Sequence, residues 1–405
     1  MRTQAWDDVH LILTRDFILI TLVNFVLMVA DYQYFVTTAF FAMELFDASM
    51  STAGFTAGMF VLGCLLARFF IGFLLTTLGL KPCLCLSLLG CSVLAALGFF
   101  ADTLLLYVAQ RFCFGFFIGA LGTTTATIVA YSVPAHLQGL GVSLFSLSTA
   151  LALALGPFIG ITVQQQWGYT ALNSEITFLC AVSFILSLFT AKFKGAKRQV
   201  GSWFKLSNYI EQATFKIGLI GYIVPLGYSC VTAYLASLCL ERGMAQAAGL
   251  FFLVAATMTV LTRPFAGRMF DVLGENAVIY PAIALAALAL IILAWAPSTP
   301  WVLVAGFIHG IGFGNFQSSG QALALKVAPR SRFAQSTSTF FMCWDLSLGT
   351  APYIFGFVAA QWGFTTTFGL LFVIVLSALP LYYLLYGRHH PLKKSWRRAT
   401  RQHSA

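Results

Sequence analysis

The chain has few charged residues, and acidic residues are the scarcest. Only 9% of its 405 residues are charged, with 13 Asp and Glu in total, whereas 59% are hydrophobic. An ordinary soluble domain is about 25% charged. A soluble protein of this length could not bury so much apolar surface. The composition therefore excludes an aqueous globular enzyme, and it also excludes a disordered, collagenous or coiled-coil chain.

Several sequence motifs are also absent. The chain has no His-Glu-x-x-His, no Gly-x-Ser-x-Gly and no Gly-rich phosphate loop ending in Lys-Ser or Lys-Thr. The nine cysteines lie in or beside apolar runs, and Cys83 and Cys85 have no second pair at metal-ligand spacing. We therefore expect no enzyme activity, no ATP-driven step, no metal and no cofactor. The first apolar run is too long for a cleavable signal peptide.

Long apolar runs are what the sequence does contain. A helix of about 20 apolar residues crosses a hydrocarbon layer of about 30 Å, and the alternating ten-residue segments of a β-barrel are missing. The sequence predicts an all-α polytopic membrane protein with spans at 17–40, 52–75, 83–100, 104–130, 139–163, 172–191, 215–239, 246–266, 277–295, 301–325, 334–358 and 365–386.

The basic residues predict the orientation of these spans. With both termini in the cytoplasm, the 23 Lys and Arg fall in cytoplasmic segments or, for Lys216, at the cytoplasmic start of a span, apart from Arg242 outside and Arg68, Arg111 and Arg263 deep within spans. This asymmetry follows the positive-inside rule. We interpret the basic residues of the central loop and the tail as topology signals beside anionic lipid headgroups, and we expect no nucleic-acid binding.

The chain repeats itself at an interval of 195 residues. The matched pairs are Arg68 and Arg263, Gly72 and Gly267, Gly79 and Gly274, Gly115 and Gly310, Gly119 and Gly314, and Pro157 and Pro352. The interval predicts two like-oriented six-helix halves, at 1–191 and 215–386, joined by a cytoplasmic linker at 192–214 and followed by a basic cytoplasmic tail at 387–405. Such halves suit transport by alternating access.

The loop after span 2 carries a family resemblance. Residues 72–81 read Gly72-Phe-Leu-Leu-Thr-Thr-Leu-Gly79-Leu-Lys81. This resembles the signature Gly-x-Leu-x-Asp-x-x-Gly-x-Lys of the major facilitator superfamily, with Thr76 in place of the Asp. The copy after span 8 keeps the acid, as Gly267-Arg-Met-Phe-Asp271-Val-Leu-Gly274. The resemblance covers essentially the whole chain and implies that this loop latches the outward-open state. The first latch should be the weaker one.

Two further motifs narrow the resemblance. Arg111-x-x-x-Gly115-x-x-x-Gly119 in span 4 is similar to the family's helix 4 motif with its buried Arg. Gly156-Pro157 in span 5 is similar to the Gly-Pro motif of the exporters, although Ala152 stands where that motif has an upstream Gly. The resemblance implies the drug:proton antiporter branch, closest to bacterial exporters of small metabolites such as opine-type metallophores. It also implies a monomer in the bacterial inner membrane, with protons, a small organic substrate and the lipid bilayer as partners.

Two acidic residues, Asp31 and Asp345, lie deep in the predicted spans. A carboxylate in hydrocarbon is costly and marks a candidate proton site. Asp31 lies about 21 Å from the cytoplasmic start of span 1, and Arg111 lies about 11 Å below the outer end of span 4. These depths agree in a layer of about 30 Å, so we expect Asp31 to contact Arg111. The contact is either a static ion pair or a site where substrate and proton compete, and Asp345 is the second candidate.

Other polar residues are candidates for the substrate cavity. His309 in span 10 is either a hydrogen-bonded contact between helices or a proton relay. Asn24 and Gln317 bind substrate or else other polar residues within the bundle. Tyrosine rings near the charged groups can wall a pocket, and the candidates are Tyr32, Tyr34 and Tyr228.

The function predicted from these features is proton-coupled export of an organic small molecule. An uptake symporter on the same scaffold is the first alternative, because the altered Gly-Pro motif leaves the direction open. A non-transporting sensor or scaffold is the second, and it has no need of carboxylates near the membrane midplane.

Overall fold

The computed structural model describes residues 9–193 and 205–389. This part of the chain is helical and contains no strand. Residues 194–204 of the predicted linker and residues 390–405 of the predicted tail lie outside the described residues, and most of the two basic clusters lies with them.

Within the described part of the chain, twelve long helices follow one another. A short helical turn, Val9–Ile12, precedes them. The unbroken helices are α1 Arg15–Phe46, α2 Met50–Thr77, α3 Leu80–Leu97, α4 Leu104–Ser132, α7 Gln212–Glu241, α8 Ala245–Leu273, α9 Asn276–Trp295 and α10 Thr299–Val327. Gln138–Leu188 bends at Gly168 into α5 (138–167) and α6 (169–188), and Phe333–Leu385 bends at Gly363 into α11 (333–362) and α12 (364–385). The predicted fold class is confirmed.

Local sequence explains where these helices begin and how apolar they are. Thr14, Ser49 and Thr103 cap helices α1, α2 and α4, each accepting a backbone N–H three residues on. Within the described residues, nine helices are long and apolar enough to cross a membrane, each bent helix being counted once. They do not include α10, which carries Asn315 and Gln317 among its buried or half-buried residues.

The backbone repeats at the interval seen in the sequence. Gly79 ends the α2 segment with φ 95° and ψ 164°, and Gly274 ends α8 with φ 95° and ψ 163°. A residue with a Cβ is strained in this conformation. The turn from α2 to α3 therefore has the same shape as the turn from α8 to α9.

Helix packing repeats at the same interval. A Cβ on Gly119 of α4 would lie 2.6 Å from the carbonyl oxygen of Cys64 on α2. A Cβ on Gly314 of α10 would lie 2.6 Å from Cγ2 of Thr259 on α8. Cys64 and Thr259 are themselves 195 positions apart. Small residues thus bring the backbones of α2 and α4, and of α8 and α10, close together.

The chain forms two compact units. Unit 1 contains Met1–Pro134, Phe145–Gly218 and Ala324–Gly349, and unit 2 contains the remaining segments, Ala135–Leu144, Leu219–Leu323 and Thr350–Ala405. Unit 1 takes in the first turns of α11 because they pack against α2, and unit 2 takes in the start of α5 because it packs against α8. The division into halves at 192–214 stays a prediction.

Candidate functional site

The best-defined charged contact in unit 1 joins α2 to α11. Nε of Arg68 donates to Oδ2 of Asp345, and Nη1 donates to the Thr123 hydroxyl at 3.2 Å. The guanidinium carbon also lies 4.8 Å from the centre of the Phe341 ring. The two charged side chains are only 13% and 10% exposed, so each depends on the other for its counter-charge. The sequence analysis marked both residues but could not pair them, since they lie 277 positions apart.

Asp31 on α1 is buried without such a partner. The residue is 7% exposed, and Oδ1 of its carboxylate has no hydrogen-bond partner. The charges of Asp345, Arg68 and Arg111 interact with it electrostatically. Among the described residues it forms no ion pair, so the expected contact with Arg111 is wrong. Depth along a helix gives the level of a side chain but not the direction in which it points.

Arg111 instead lies among aromatic rings. Its guanidinium carbon is 3.6 Å from the centre of the Tyr34 ring and 4.8 Å from that of Tyr107. Nη2 donates to the Tyr169 hydroxyl at 3.5 Å, while Nε and Nη1 have no hydrogen-bond partner. Cation–π attraction thus replaces the carboxylate. Tyr107, one turn before Arg111 on the same face, is a signal that the sequence analysis missed.

Asn24 and Tyr34 are committed to contacts between helices. Asn24 donates to the Ser148 hydroxyl at 2.9 Å and accepts from the Thr125 hydroxyl at 3.1 Å. The Tyr34 hydroxyl donates to Oδ1 of Asn173 on α6. Of the two roles predicted for Asn24, the structure has the contact with other polar residues within the bundle.

The Gly-Pro motif of α5 packs against α1. A Cβ on Gly156 would lie 2.7 Å from Cβ of Tyr32 and 3.0 Å from the carbonyl oxygen of Val29. Pro157 lies inside the helix, where it removes one backbone hydrogen bond. The motif therefore places α5 directly beside the helix that carries Asp31.

The two copies of the signature loop make different contacts. In unit 2 the Asp271 carboxylate accepts the backbone N–H groups of Gly139 and Leu140, both at 2.8 Å, near the start of α5. A carboxylate at a helix N-terminus is favourable because the N–H groups there have no partner within the helix. Thr76 in unit 1 donates to the Phe73 carbonyl of its own helix at 2.8 Å.

The glycines that open these loops sit at close helix contacts. A Cβ on Gly72 would lie 3.0 Å from Cβ of Ser338 on α11, and one on Gly267 would lie 2.7 Å from the Gly139 carbonyl oxygen. Any side chain at either position would push the neighbouring helix away.

Two cations cap helix ends. Lys81 donates to the hydroxyl of Thr190 at 2.6 Å and to the Leu188 carbonyl at 3.3 Å, just beyond the end of α6. Arg242 donates to the carbonyls of Leu293 and Ala294 at 3.1 and 2.7 Å, at the end of α9. Positive charge at a helix C-terminus is stabilising.

In unit 2, Arg263 occupies the position equivalent to Arg68. It donates to the Gly314 carbonyl at 3.1 Å and to Oε1 of Gln317 at 2.8 Å. The predicted cavity residue Gln317 is thus bound to an Arg on the neighbouring helix.

His309 of α10 lies in an aromatic stack. Its ring centroid is 5.3 Å from Phe313 and 6.0 Å from Tyr228, both nearly parallel to it, and 5.5 Å from Phe251. The residue is 5% exposed, and neither ring nitrogen has a hydrogen-bond partner. The expected hydrogen-bonded contact between helices is therefore wrong.

The described residues hold no group of three or more His, Cys, Asp or Glu placed to bind a metal ion, and all nine cysteines are free.

A family model matches most of the chain. The sequence model of the Major Facilitator Superfamily matches residues 20–347 and 217–403. The multidrug resistance protein MdtG of Yersinia enterocolitica is 23% identical over 347 residues, 81% of each chain. A multi-drug resistance efflux pump, the PmrA homolog of Lactococcus lactis, is 22% identical over 265 residues, which cover 63% of this chain and 65% of that protein.

Two solved structures share the fold. The human organic anion transporter MFSD10 superposes with a TM-score of 0.74 at 15% identity, covering 91% of this chain and 98% of that one. The transporter FucP, in its outward conformation, gives a TM-score of 0.74 at 15% identity, with 92% and 99% covered. The protein is a multi-pass membrane transporter rather than an enzyme, and the chain belongs to the major facilitator superfamily.

Proposed function

We propose that the protein is a proton-coupled exporter of organic small molecules, with Asp31 and Asp345 carrying the protons. The observation that carries this proposal is the unequal state of the two carboxyl groups in unit 1. Asp345 is held by Arg68, whereas Asp31 is buried without a hydrogen bond to Oδ1. A buried carboxylate without a partner is costly to keep ionised, so proton exchange is its natural chemistry.

The two carboxyl groups act as one system. Asp31 interacts electrostatically with both Asp345 and Arg68, so a proton bound at one site changes the free energy of proton binding at the other. A transporter needs such coupling, because protonation must alter the contacts between its helices as well as a local charge.

Export is the direction that the relatives and the Gly-Pro motif favour. The PmrA homolog is named an efflux pump, and the MdtG proteins are named for multidrug resistance. Gly156-Pro157 resembles the exporters' motif, and Gly156 packs against α1. The proposal includes an inner-membrane monomer with both termini in the cytoplasm, in line with the placement of the basic residues.

Uptake by proton symport is the second candidate. Ala152, which is fully buried in α5, replaces the upstream Gly of the exporters' motif. A larger residue there changes the packing of the helix that the motif controls.

Proton-driven transport in proteoliposomes tests the proposal. Drug and metallophore substrates are offered with and without an imposed pH gradient, to the parent chain and to Asp31→Asn, Asp31→Glu and Asp345→Asn variants. Asp31→Asn cannot exchange a proton, so it should lose concentrative transport, while Asp31→Glu should keep part of it. Asp102→Asn is the matched control, because Asp102 is exposed in the loop before α4.

Each result has a defined consequence. If substrate accumulates only when the proton gradient is directed into the vesicle, proton and substrate move in the same direction and the transporter is a symporter. If Asp31→Asn still concentrates substrate while Asp345→Asn does not, Asp345 is the carrier and the role given to Asp31 is wrong. If neither substitution changes gradient-driven accumulation, proton coupling through these residues is refuted.

A further inference from the structure

The contact between α2 and α11 is close although it lacks the acid of the signature loop. A Cβ on Gly72 would lie 3.1 Å from Cα of Gln335 and 3.3 Å from the Ala334 carbonyl oxygen. One turn further into α2, the Ser338 hydroxyl donates to the carbonyl oxygen of Arg68. The Thr76 hydroxyl donates to the Phe73 carbonyl of its own helix and not to α11.

The charge at this contact lies inside the membrane. Arg68 is nine residues before the end of α2 at Thr77, and Asp345 is twelve residues after the start of α11 at Phe333. At 1.5 Å per residue these positions are about 14 and 18 Å from the helix ends. Salt and water screen a charge pair at that depth far less than one in a surface loop.

The equivalent contact in unit 2 has the opposite arrangement. Its loop keeps Asp271, which binds backbone N–H groups near the start of α5. Its intramembrane arginine, Arg263, meets a carbonyl and an amide oxygen. The position 195 residues before Asp345 is Ala150, so α5 has no acid at the position equivalent to Asp345. One contact thus has its acid in the loop, and the other has it in the membrane.

We propose that the Arg68–Asp345 pair is the latch between α2 and α11, that it replaces the missing loop acid at position 76, and that protonation of Asp345 opens it. Arg68 is then a positioning residue for transport. In alternating access this helix contact has to break and re-form in each cycle. The proton sensitivity of the latch rests on the proposed function, whereas its location rests on the contacts alone.

The surroundings of Asp345 define what opening means. The titratable and charged groups that interact with it or with its partner are Arg68 and Cys64 of α2 and Asp31 of α1, and Arg111 of α4 acts in turn on Asp31. When Asp345 takes a proton, Arg68 loses its carboxylate. Asp31, which already interacts with the charge of Arg68, becomes its counter-charge on the α1 side. Proton binding to Asp345 on α11 thereby replaces the ion pair between α2 and α11 with a contact between α1 and α2.

Cysteine labelling at the contact between α2 and α11 measures whether the latch is closed, without substrate or a proton gradient. Gln335 is 1% exposed at the contact, and Leu78 is 52% exposed at the end of α2. In a chain whose native cysteines are replaced, a Gln335→Cys variant is labelled with a water-soluble maleimide in inside-out vesicles between pH 6 and pH 8. A Leu78→Cys variant corrects for the pH dependence of the reagent.

The expected results follow from the charges. Labelling at position 335 rises as the pH falls, and Asp345→Asn makes it high and independent of pH. The increase should be about 5- to 150-fold, the usual range of coupling between two sites. Thr76→Asp in the Asp345→Asn background should restore low labelling, because it returns an acid to the loop. Thr76→Asn is the matched control and should not.

Two further comparisons separate the latch from general damage to the fold. Arg68→Gln should behave as Asp345→Asn does, while Arg263→Gln should leave the pH response unchanged. The proposal is overturned if Asp345→Asn labels like the parent chain, or if Thr76→Asn restores protection as well as Thr76→Asp. A chain with a pH-dependent latch but no proton-driven transport would refute the proposed function and leave the latch standing.

Discussion

Replacing Arg111 by Lys should destabilise the protein although the charge is kept. The guanidinium is flat and lies 3.6 Å from the Tyr34 ring centre and 4.8 Å from that of Tyr107, with Phe114 at 6.0 Å. A lysine ammonium cannot stack on these faces in the same way. A desolvated cation–π contact is worth about 2 kcal/mol, so we expect the free energy of unfolding to fall by about that amount.

A double-mutant cycle assigns this loss to the rings or to a carboxylate. Arg111→Lys is combined with Tyr34→Leu, which removes the ring, and separately with Asp31→Asn, which removes the carboxylate. Contacting residues show coupling of about 0.5–3 kcal/mol, and independent sites add within about 0.5 kcal/mol. We expect coupling with Tyr34 and additivity with Asp31, measured by unfolding of the purified chain in one detergent.

The opposite pattern would mean that a carboxylate, and not the rings, holds Arg111. If Arg111→Lys couples to Asp31→Asn and is additive with Tyr34→Leu, the ion pair expected from the sequence depths holds and the aromatic contacts contribute nothing. A Lys variant as stable as the parent chain would make Arg111 a simple counter-charge.

Two further outcomes are expected from the glycine contacts and the loops. Gly119→Ala should cost about 1–3 kcal/mol of unfolding free energy, because its Cβ would meet the α2 backbone. Gly58→Ala is the control and should cost nothing, since no atom lies within 4 Å of its Cβ. Equal thermal stability of the two variants would contradict the close approach of α2 and α4. Asp271→Asn should slow conformational cycling more than Thr76→Asn does, because the carboxylate holds two backbone N–H groups and Thr76 holds none. Maleimide labelling at the cytoplasmic helix ends measures the rate of conformational cycling in both variants. If the two substitutions slow it equally, the loop that carries Asp271 has no special role.

The helices and their repeat could be predicted from the sequence because both depend on local features. Apolar runs of sufficient length have few alternatives to a helix in a membrane. Gly79 and Gly274 adopt a backbone conformation that other residues avoid, so the local sequence specifies the turns that they form. Small residues allow helices to approach closely, and the structure has such close contacts at Gly119 and Gly314.

Partners within the site were less predictable. Asp31 and Arg111 were expected to meet because their depths agree, yet Arg111 faces Tyr34 and Asp31 lies unpaired. Depth follows from the count of residues along one helix, and that count says nothing about how the helix is rotated about its axis.

Composition and spacing alone were enough to predict which segments form long apolar helices and where the chain repeats. The tertiary structure alone decided that Arg68 meets Asp345, that rings surround Arg111, and that Asp271 and Thr76 differ in their contacts. Each of these contacts depends on the rotation and packing of helices far apart in the chain, and a buried charge takes whichever partner that packing brings within reach.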